Sequence, residues 1–200
     1  MVKYLGTHNS GTSSKLVWWQ RPLAWLLHLT SRCQTLSIEE QLKNNVRLFN
    51  LQITRYKNNW VFSHGMCIYE TKIEDTITIM KKYATLESPI YLQIYLDKNF
   101  LLGQNKEAFR QFIQHLNSRL SLVPIFIIST WIEGTEEKWS CNMGISISEH
   151  YWTQSWSKAN AKSWIDYIPL PKRHAKKYNK KYIEENKADY LMLDFVEILE

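Results

Sequence analysis

Two short stretches each set a histidine where an apolar run ends: Gly6-Thr7-His8-Asn9-Ser10-Gly11-Thr12 and Val61-Phe62-Ser63-His64-Gly65. Imidazole titrates near neutrality without much help, so two of them suit a proton-transfer reaction on a phosphodiester, one as base and one as acid. Either histidine taken alone is equally compatible with a hydrogen-bonded filler. A third ionisable group stands inside the apolar run Tyr190-Leu191-Met192-Leu193-Asp194-Phe195-Val196. A buried aspartate is costly unless paired. If the last strand lies beside the first, His8 is its natural partner, because an aspartate holds one imidazole tautomer and stabilises the protonated form. The other expectation for Asp194 is that it caps a local turn.

These side chains need elements to carry them. Residues 2–8, Val46–Thr54 and Trp60–Gly65 read as extended segments, which puts both histidines at or just past strand ends. Parallel α/β folds gather their chemistry there. Ser37, with Glu40 three residues on, forms a capping box that opens a short helix, and Asn44-Asn45 then turns the chain into the second strand. Ile73, Ile77, Met80 and Ala84 recur at helical spacing, as do Phe109, Phe112, Ile113, Leu116 and Leu120, predicting helices over 70–84 and 105–121. Ile90–Asp97 and Ile125–Trp131 read as strands, with a further strand over 144–148. Strand alternating with helix implies an α/β fold with parallel pairing, either a barrel or a doubly wound sheet.

Between the first strand and the capping box lies Leu16-Val17-Trp18-Trp19-Gln20-Arg21-Pro22-Leu23-Ala24-Trp25-Leu26-Leu27. It is too short to cross a bilayer. It suits a membrane interface, where tryptophan rings sit at headgroup level, and it equally suits a helix and loop packed on the core. The tail adds Trp152, Trp156 and Trp164 and a basic run, Lys172-Arg173-His174-Ala175-Lys176-Lys177 with Lys180-Lys181.

The 200 residues suffice for one substantial core, so residues 1–200 are read as a single domain. Hydrophobic residues at 44% with 22% charged describe a globular, soluble chain. Cys33, Cys67 and Cys141 are odd in number and contain no CxxC pair, which argues against a disulfide framework or a zinc site and for a reducing compartment. The net charge of +6 is concentrated in the basic run, which is either a solvated face or a contact for an anionic membrane or another polyanion. The first motif begins so close to Met1 that it leaves no room for a signal peptide, and the expected location is intracellular or particle-associated.

Three ordered motifs resemble the phosphatidylinositol-specific phospholipase C X-domain family, especially its small bacterial members. They are Gly6-Thr7-His8-Asn9-Ser10-Gly11-Thr12, then Gln41-Leu42-Lys43-Asn44-Asn45-Val46-Arg47-Leu48-Phe49-Asn50-Leu51-Gln52, then Phe62-Ser63-His64-Gly65. The likeness covers residues 4 to 100 well and the tail at scattered points. It implies a compact TIM-type barrel, distorted or incomplete, with its site at the carboxyl ends of the strands. It further implies that His8 deprotonates the inositol 2-hydroxyl, that His64 protonates the departing diacylglycerol oxygen, and that Asp194 supports His8. The product that the resemblance implies is a cyclic inositol phosphate. Substrate-contacting positions by the same likeness are Asn9, Asn50, Gln52, Glu149 and Tyr151.

The chain departs from the family at the phosphate. Charge on the non-bridging oxygens calls for a cation, supplied in the family by arginine or calcium, and loss of such a donor costs about 100–1000-fold in rate. Here the strand reads Asn50-Leu51-Gln52, where the bacterial pattern has aspartate then arginine and the calcium-dependent pattern two carboxylates. Tyr95 and Thr130 also stand where charged residues are usual. Asn9 alone makes no calcium site, because calcium takes six to eight oxygens including carboxylates. Arg55 is on the opposite strand face from Asn50 and Gln52. The expectation is a phosphodiesterase without metal or other cofactor, weakened or retargeted, acting on a phosphoinositide or related phosphodiester at an anionic membrane. Two other classes stay open: a headgroup-binding module that lost its chemistry, and a nucleotide phosphodiesterase, although nothing in the sequence demands nucleic acid.

Overall fold

The structure, a computed structural model, describes residues 4–99, 101–150 and 171–198. Among these, nine strands form one sheet. They are β1 (Tyr4–Thr7), β2 (Val46–Tyr56), β3 (Asn59–His64), β4 (Cys67–Lys72), β5 (Ile90–Leu96), β6 (Ile125–Ile132), β7 (Lys138–Ser140), β8 (Ile147–His150) and β9 (Tyr190–Leu193). The helices are α1 (Ala24–Ser31), α2 (Ile38–Lys43), α3 (Ile73–Lys81), α4 (Lys106–Leu120) and α5 (Pro171–Glu185). The main path runs β7-β6-β5-β2-β1-β9-β8, with β3 and β4 attached beside β2. Its two ends do not pair with each other, so the sheet curls into an incomplete TIM-type barrel.

The central pairings β1–β2, β2–β5, β5–β6, β1–β9 and β8–β9 are parallel, as alternation of strand and helix requires. Three pairings that no strand-helix alternation accounts for, β2–β3, β3–β4 and β6–β7, are antiparallel. The cause at β2–β3 is local. Tyr56 pairs with Asn59 across Lys57 and Asn58, both at positive φ, and two left-handed residues make the hairpin turn whose twist matches the strands it joins.

Strand alternation sorts the sheet into layers. Phe49, Leu51, Ile53, Leu92, Ile94, Leu96, Leu191 and Leu193 belong to the main core with Ile73, Ile77 and Met80 of α3 and Phe109, Phe112 and Leu116 of α4. Leu48, Tyr91, Ile128, Tyr190 and Met192 form a separate apolar cluster, a floor within the half-barrel. Above that floor the residues in step with Leu48 are Asn50 and Gln52, next to Gln93 and Tyr95 of β5. A polar layer thus begins where the apolar one stops.

The predicted helices appear as α3, which starts and stops three residues inside the predicted 70–84, and α4, one residue inside the predicted 105–121 at each end. Ser37 accepts from the Glu40 amide while the Glu40 carboxylate accepts from the Ser37 amide, completing the capping box of α2. The tryptophan-rich segment becomes a 3-10 turn, Trp18–Leu23, continuing into α1, and the basic run becomes α5, which touches α1. The late strand predicted over 144–148 is displaced to Ile147–His150, and Asp194 stands just past the end of β9 rather than within it.

Candidate active site

Three strand ends build the site. β1 pairs with β2 up to Thr7–Phe49, and β3 takes the same edge of β2 from the other end, through Ile53–Phe62. The two strands therefore run toward each other along one edge, and the residues that end them, His8 and His64, meet with ring centroids 6.3 Å apart at a near-perpendicular angle of 83°. On the other side β9 pairs with β1 through Thr7–Leu193. This puts Asp194 beside His8, and His8 Nδ1 donates to Asp194 Oδ1 at 2.8 Å with the side chains 9% and 1% exposed. Asp194 follows a strand and precedes Phe195, which has φ of 48°, so it both begins a turn and pairs with the imidazole.

Several polar side chains hold these ends in place. Gln34 Nε2 donates to the carbonyls of His8 at 3.1 Å and Leu193 at 2.9 Å, and its Oε1 accepts from the Val196 amide, tying β1 to β9. Asn179 of α5 donates to the carbonyls of Asp194 at 2.8 Å and Phe195 at 3.2 Å. Gly11 lies against the Phe62 ring: a Cβ there would stand 2.1 Å from its nearest ring carbon. The first motif is thereby keyed to the second.

The His64 Nδ1–H donates to the Ser31 carbonyl at 2.7 Å, so Nε2 is the nitrogen left to work. Burial pushes this imidazole below its ordinary range; the Ser31 hydrogen bond opposes that and the nearby His8 adds to it. The face that His64 keeps open to solvent limits the shift.

The polar layer is heavily self-bonded. Asn50 Oδ1 accepts from the Asn9 amide at 3.2 Å and its Nδ2 donates to Gln93 Oε1 at 3.2 Å, while Gln93 Nε2 donates to Glu149 Oε1 at 3.2 Å. Gln52 donates to Asp97 and accepts from the Tyr95 hydroxyl, which also donates to Asn9 Oδ1 at 3.0 Å. Tyr95 stacks on Trp131 at 4.3 Å and 7°. Asn9 itself has φ of 46°, a left-handed conformation asparagine tolerates. His8, His64, Asp194, Asn9, Asn50, Gln52 and Glu149 thus fall in one connected region, while Tyr151 lies outside the described residues. Arg55 is exposed.

Three further buried residues stand in this region, and only the last of them carries a sequence signature. Cys33 follows α1, and its Sγ lies 3.9 Å from His64 Nδ1; burial, with Asp194 adding, pushes its thiol well above the ordinary range. Gln34, beside it, stands in a stretch without periodicity. Asp97, at the end of β5, is raised to about 7 by burial and by a carboxyl hydrogen bond with Glu133. A lone carboxylate closing an apolar strand is the same signal that marked Asp194.

The family model for the phosphatidylinositol-specific phospholipase C X domain matches residues 24–131, more than half of the chain. No curated protein matches by sequence. Among solved structures the fold is similar to the phosphatidylinositol-specific phospholipase C from Listeria monocytogenes, with a TM-score of 0.61 and 14% identity over 97% of this chain and 88% of that one. It is also similar to the Staphylococcus aureus enzyme, with a TM-score of 0.60 and 14% identity over 97% and 86%. The matched span takes in Asn50, Gln52 and His64, and on this match the chain belongs to the phosphatidylinositol-specific phospholipase C X-domain family.

Proposed function

We propose that the chain is a single phospholipase C-like domain that cleaves a phosphodiester by attack of a neighbouring hydroxyl, releasing a cyclic phosphate without a metal. The observation that carries this reading is the buried His8–Asp194 pair at 2.8 Å with the His64 ring 6.3 Å away. His8, with its Nδ1–H held by Asp194, presents Nε2 as a general base for the hydroxyl. His64, with its Nδ1–H held by Ser31, presents its own Nε2 to protonate the leaving oxygen. The two rings are neighbours, edge to face with centroids 6.3 Å apart, so base and acid can reach the same diester. The substrate class follows from the family: a phosphoinositide or a related diester with an adjacent hydroxyl.

The reaction is slow for its class, because the amides of Asn50 and Gln52 are engaged with Gln93, Tyr95 and Asp97 and no arginine stands at their positions. That same observation favours a second reading, a headgroup-binding module without turnover. The membrane contact is assigned to α1 and the turn before it, where Trp18 is 66% and Trp25 69% exposed together with Leu23, Leu26 and Leu29. No described helix is long and apolar enough to cross a membrane.

Turnover of phosphatidylinositol in micelles, followed by phosphorus NMR with a chelator present, decides between the readings. A cyclic phosphate is expected, with a fall of about 10²–10⁴-fold in both His8→Ala and His64→Ala. Turnover that survives either substitution removes that histidine's role. Binding to phosphatidylinositol vesicles with no turnover by the native chain establishes the module.

A further inference from the structure

Cys33 Sγ, a ring nitrogen of His8 and a carboxylate oxygen of Asp194 lie within 4.8 Å of one another, and all three residues are buried. Among the described residues this is where three such ligand groups converge. They come from the end of β1, the segment after α1 and the turn after β9, so no spacing in the chain announces them. We propose that this trio is a zinc site and that an ion bound there switches off the base.

A sulfur, nitrogen and oxygen set matches the tetrahedral preference of Zn²⁺, with bonds of about 2.0–2.3 Å. Bonds of that length put ligand atoms roughly 3.3–3.7 Å apart, so Cys33 closes in slightly while the 2.8 Å His8–Asp194 pair opens. Hard cations are disfavoured by the thiol and the imidazole. His64 stays outside the set, because its Nδ1–H is committed to the Ser31 carbonyl. Water takes the fourth position.

The consequence follows from which nitrogen faces the trio. In the metal-free protein His8 carries its proton on Nδ1, toward Asp194, and Nε2 holds the lone pair. Binding the ion breaks the Cys33 S–H bond and forms S–Zn, with the proton passing to water. Nδ1 gives its lone pair to zinc, and the imidazole proton moves to Nε2, so the ring stays neutral. An Nε2–H accepts no proton, and the base is lost. The site shares His8 and Asp194 with the proposed reaction, but metal binding there does not depend on that reading; the inhibitory effect rests on it.

Zinc is spectroscopically silent, so Co²⁺ is the probe, added to the full chain. One Co²⁺ per chain is expected, with the absorption of tetrahedral coordination and thiolate-to-cobalt charge transfer, displaced by Zn²⁺. Cys33→Ser, shown folded by circular dichroism, loses the charge transfer and weakens zinc by at least about 10–100-fold, and Asp194→Asn weakens it comparably. Cys141→Ser, at the exposed cysteine whose Sγ lies 3.8 Å from Met143 Sδ, leaves the spectrum intact. Absence of a one-to-one complex, or charge transfer that persists in Cys33→Ser and vanishes in Cys141→Ser, overturns the site. In the turnover assay, zinc at one equivalent abolishes activity and a chelator restores it; a loaded site with undiminished turnover overturns the inhibition alone. If the native chain turns over nothing, the cobalt spectrum still decides the site.

Discussion

Each histidine in the cavity is oriented by one acceptor on Nδ1, a carboxylate for His8 and a backbone carbonyl for His64. With burial pushing His64 down, only a minor share of it carries the proton needed for acid catalysis at neutral pH. Because His8 must be neutral while His64 is protonated, turnover is expected to pass through a maximum and to fall on the alkaline side as His64 loses its proton, read as kcat against pH; an alkaline limb that is unchanged in His64→Ala removes His64 as the acid. Asp97 offers a stability test. Its carboxyl titrates near 7 when folded against 3.8 for the ordinary group, so the folded state holds the proton more tightly. The stability this supplies is complete below the ordinary value and lost as pH rises through about 7. Asp97→Asn is expected to flatten that decline, gaining roughly 2 kcal/mol at pH 8 relative to pH 5 in urea unfolding. Equal slopes in both proteins would show that Asp97 ionises freely.

Among the elements, the meeting of β1 and β3 along one edge of β2 governs the histidine separation. The contact of Gly11 with Phe62 fixes how closely they approach, since a side chain at Gly11 collides with the ring. Gly11→Ala is expected to cost about 1–3 kcal/mol and Phe62→Ala about 3–5 kcal/mol. In the double variant the methyl enters the space the ring vacated, so the two costs sum to more than the pair. Strict additivity in chemical denaturation would mean that the two motifs do not bear on each other. The β2–β3 hairpin was not legible beforehand, because an antiparallel return strand shows the same alternation as a parallel one. Its signal lay in Lys57-Asn58, a weaker turn pair than one containing glycine.

For the molecule as a whole, the contact of α1 with α5 joins an apolar surface to a basic one. Exposed Trp18, Trp25, Leu26 and Leu29 adjoin a helix whose Lys172, Arg173, Lys176, Lys177, Lys180 and Lys181 are all exposed. Each lysine or arginine near an anionic surface is worth about 1 kcal/mol, screened by salt. Sedimentation with vesicles should therefore show binding that requires anionic lipid, falls at least about 10-fold between 0.05 and 0.5 M salt, and weakens in the Trp18→Ala, Trp25→Ala double variant. Equal binding to neutral vesicles would exclude the basic helix from the contact.

The sequence by itself determined the parallel strands, both amphipathic helices, the capping box, and the three residues His8, His64 and Asp194, because periodicity and a lone charge in an apolar run are properties of neighbouring residues. It also marked the basic run, though not its helix, whose buried side is only Pro171, Ala175 and Asn179. Tertiary structure alone decided that Cys33, Gln34 and Asp97 lie beside the histidines and the polar layer, and that Gln52 is spent on Asp97 and Tyr95. Those facts depend on contacts between segments far apart in the chain, where no local pattern records which side chains will share a space.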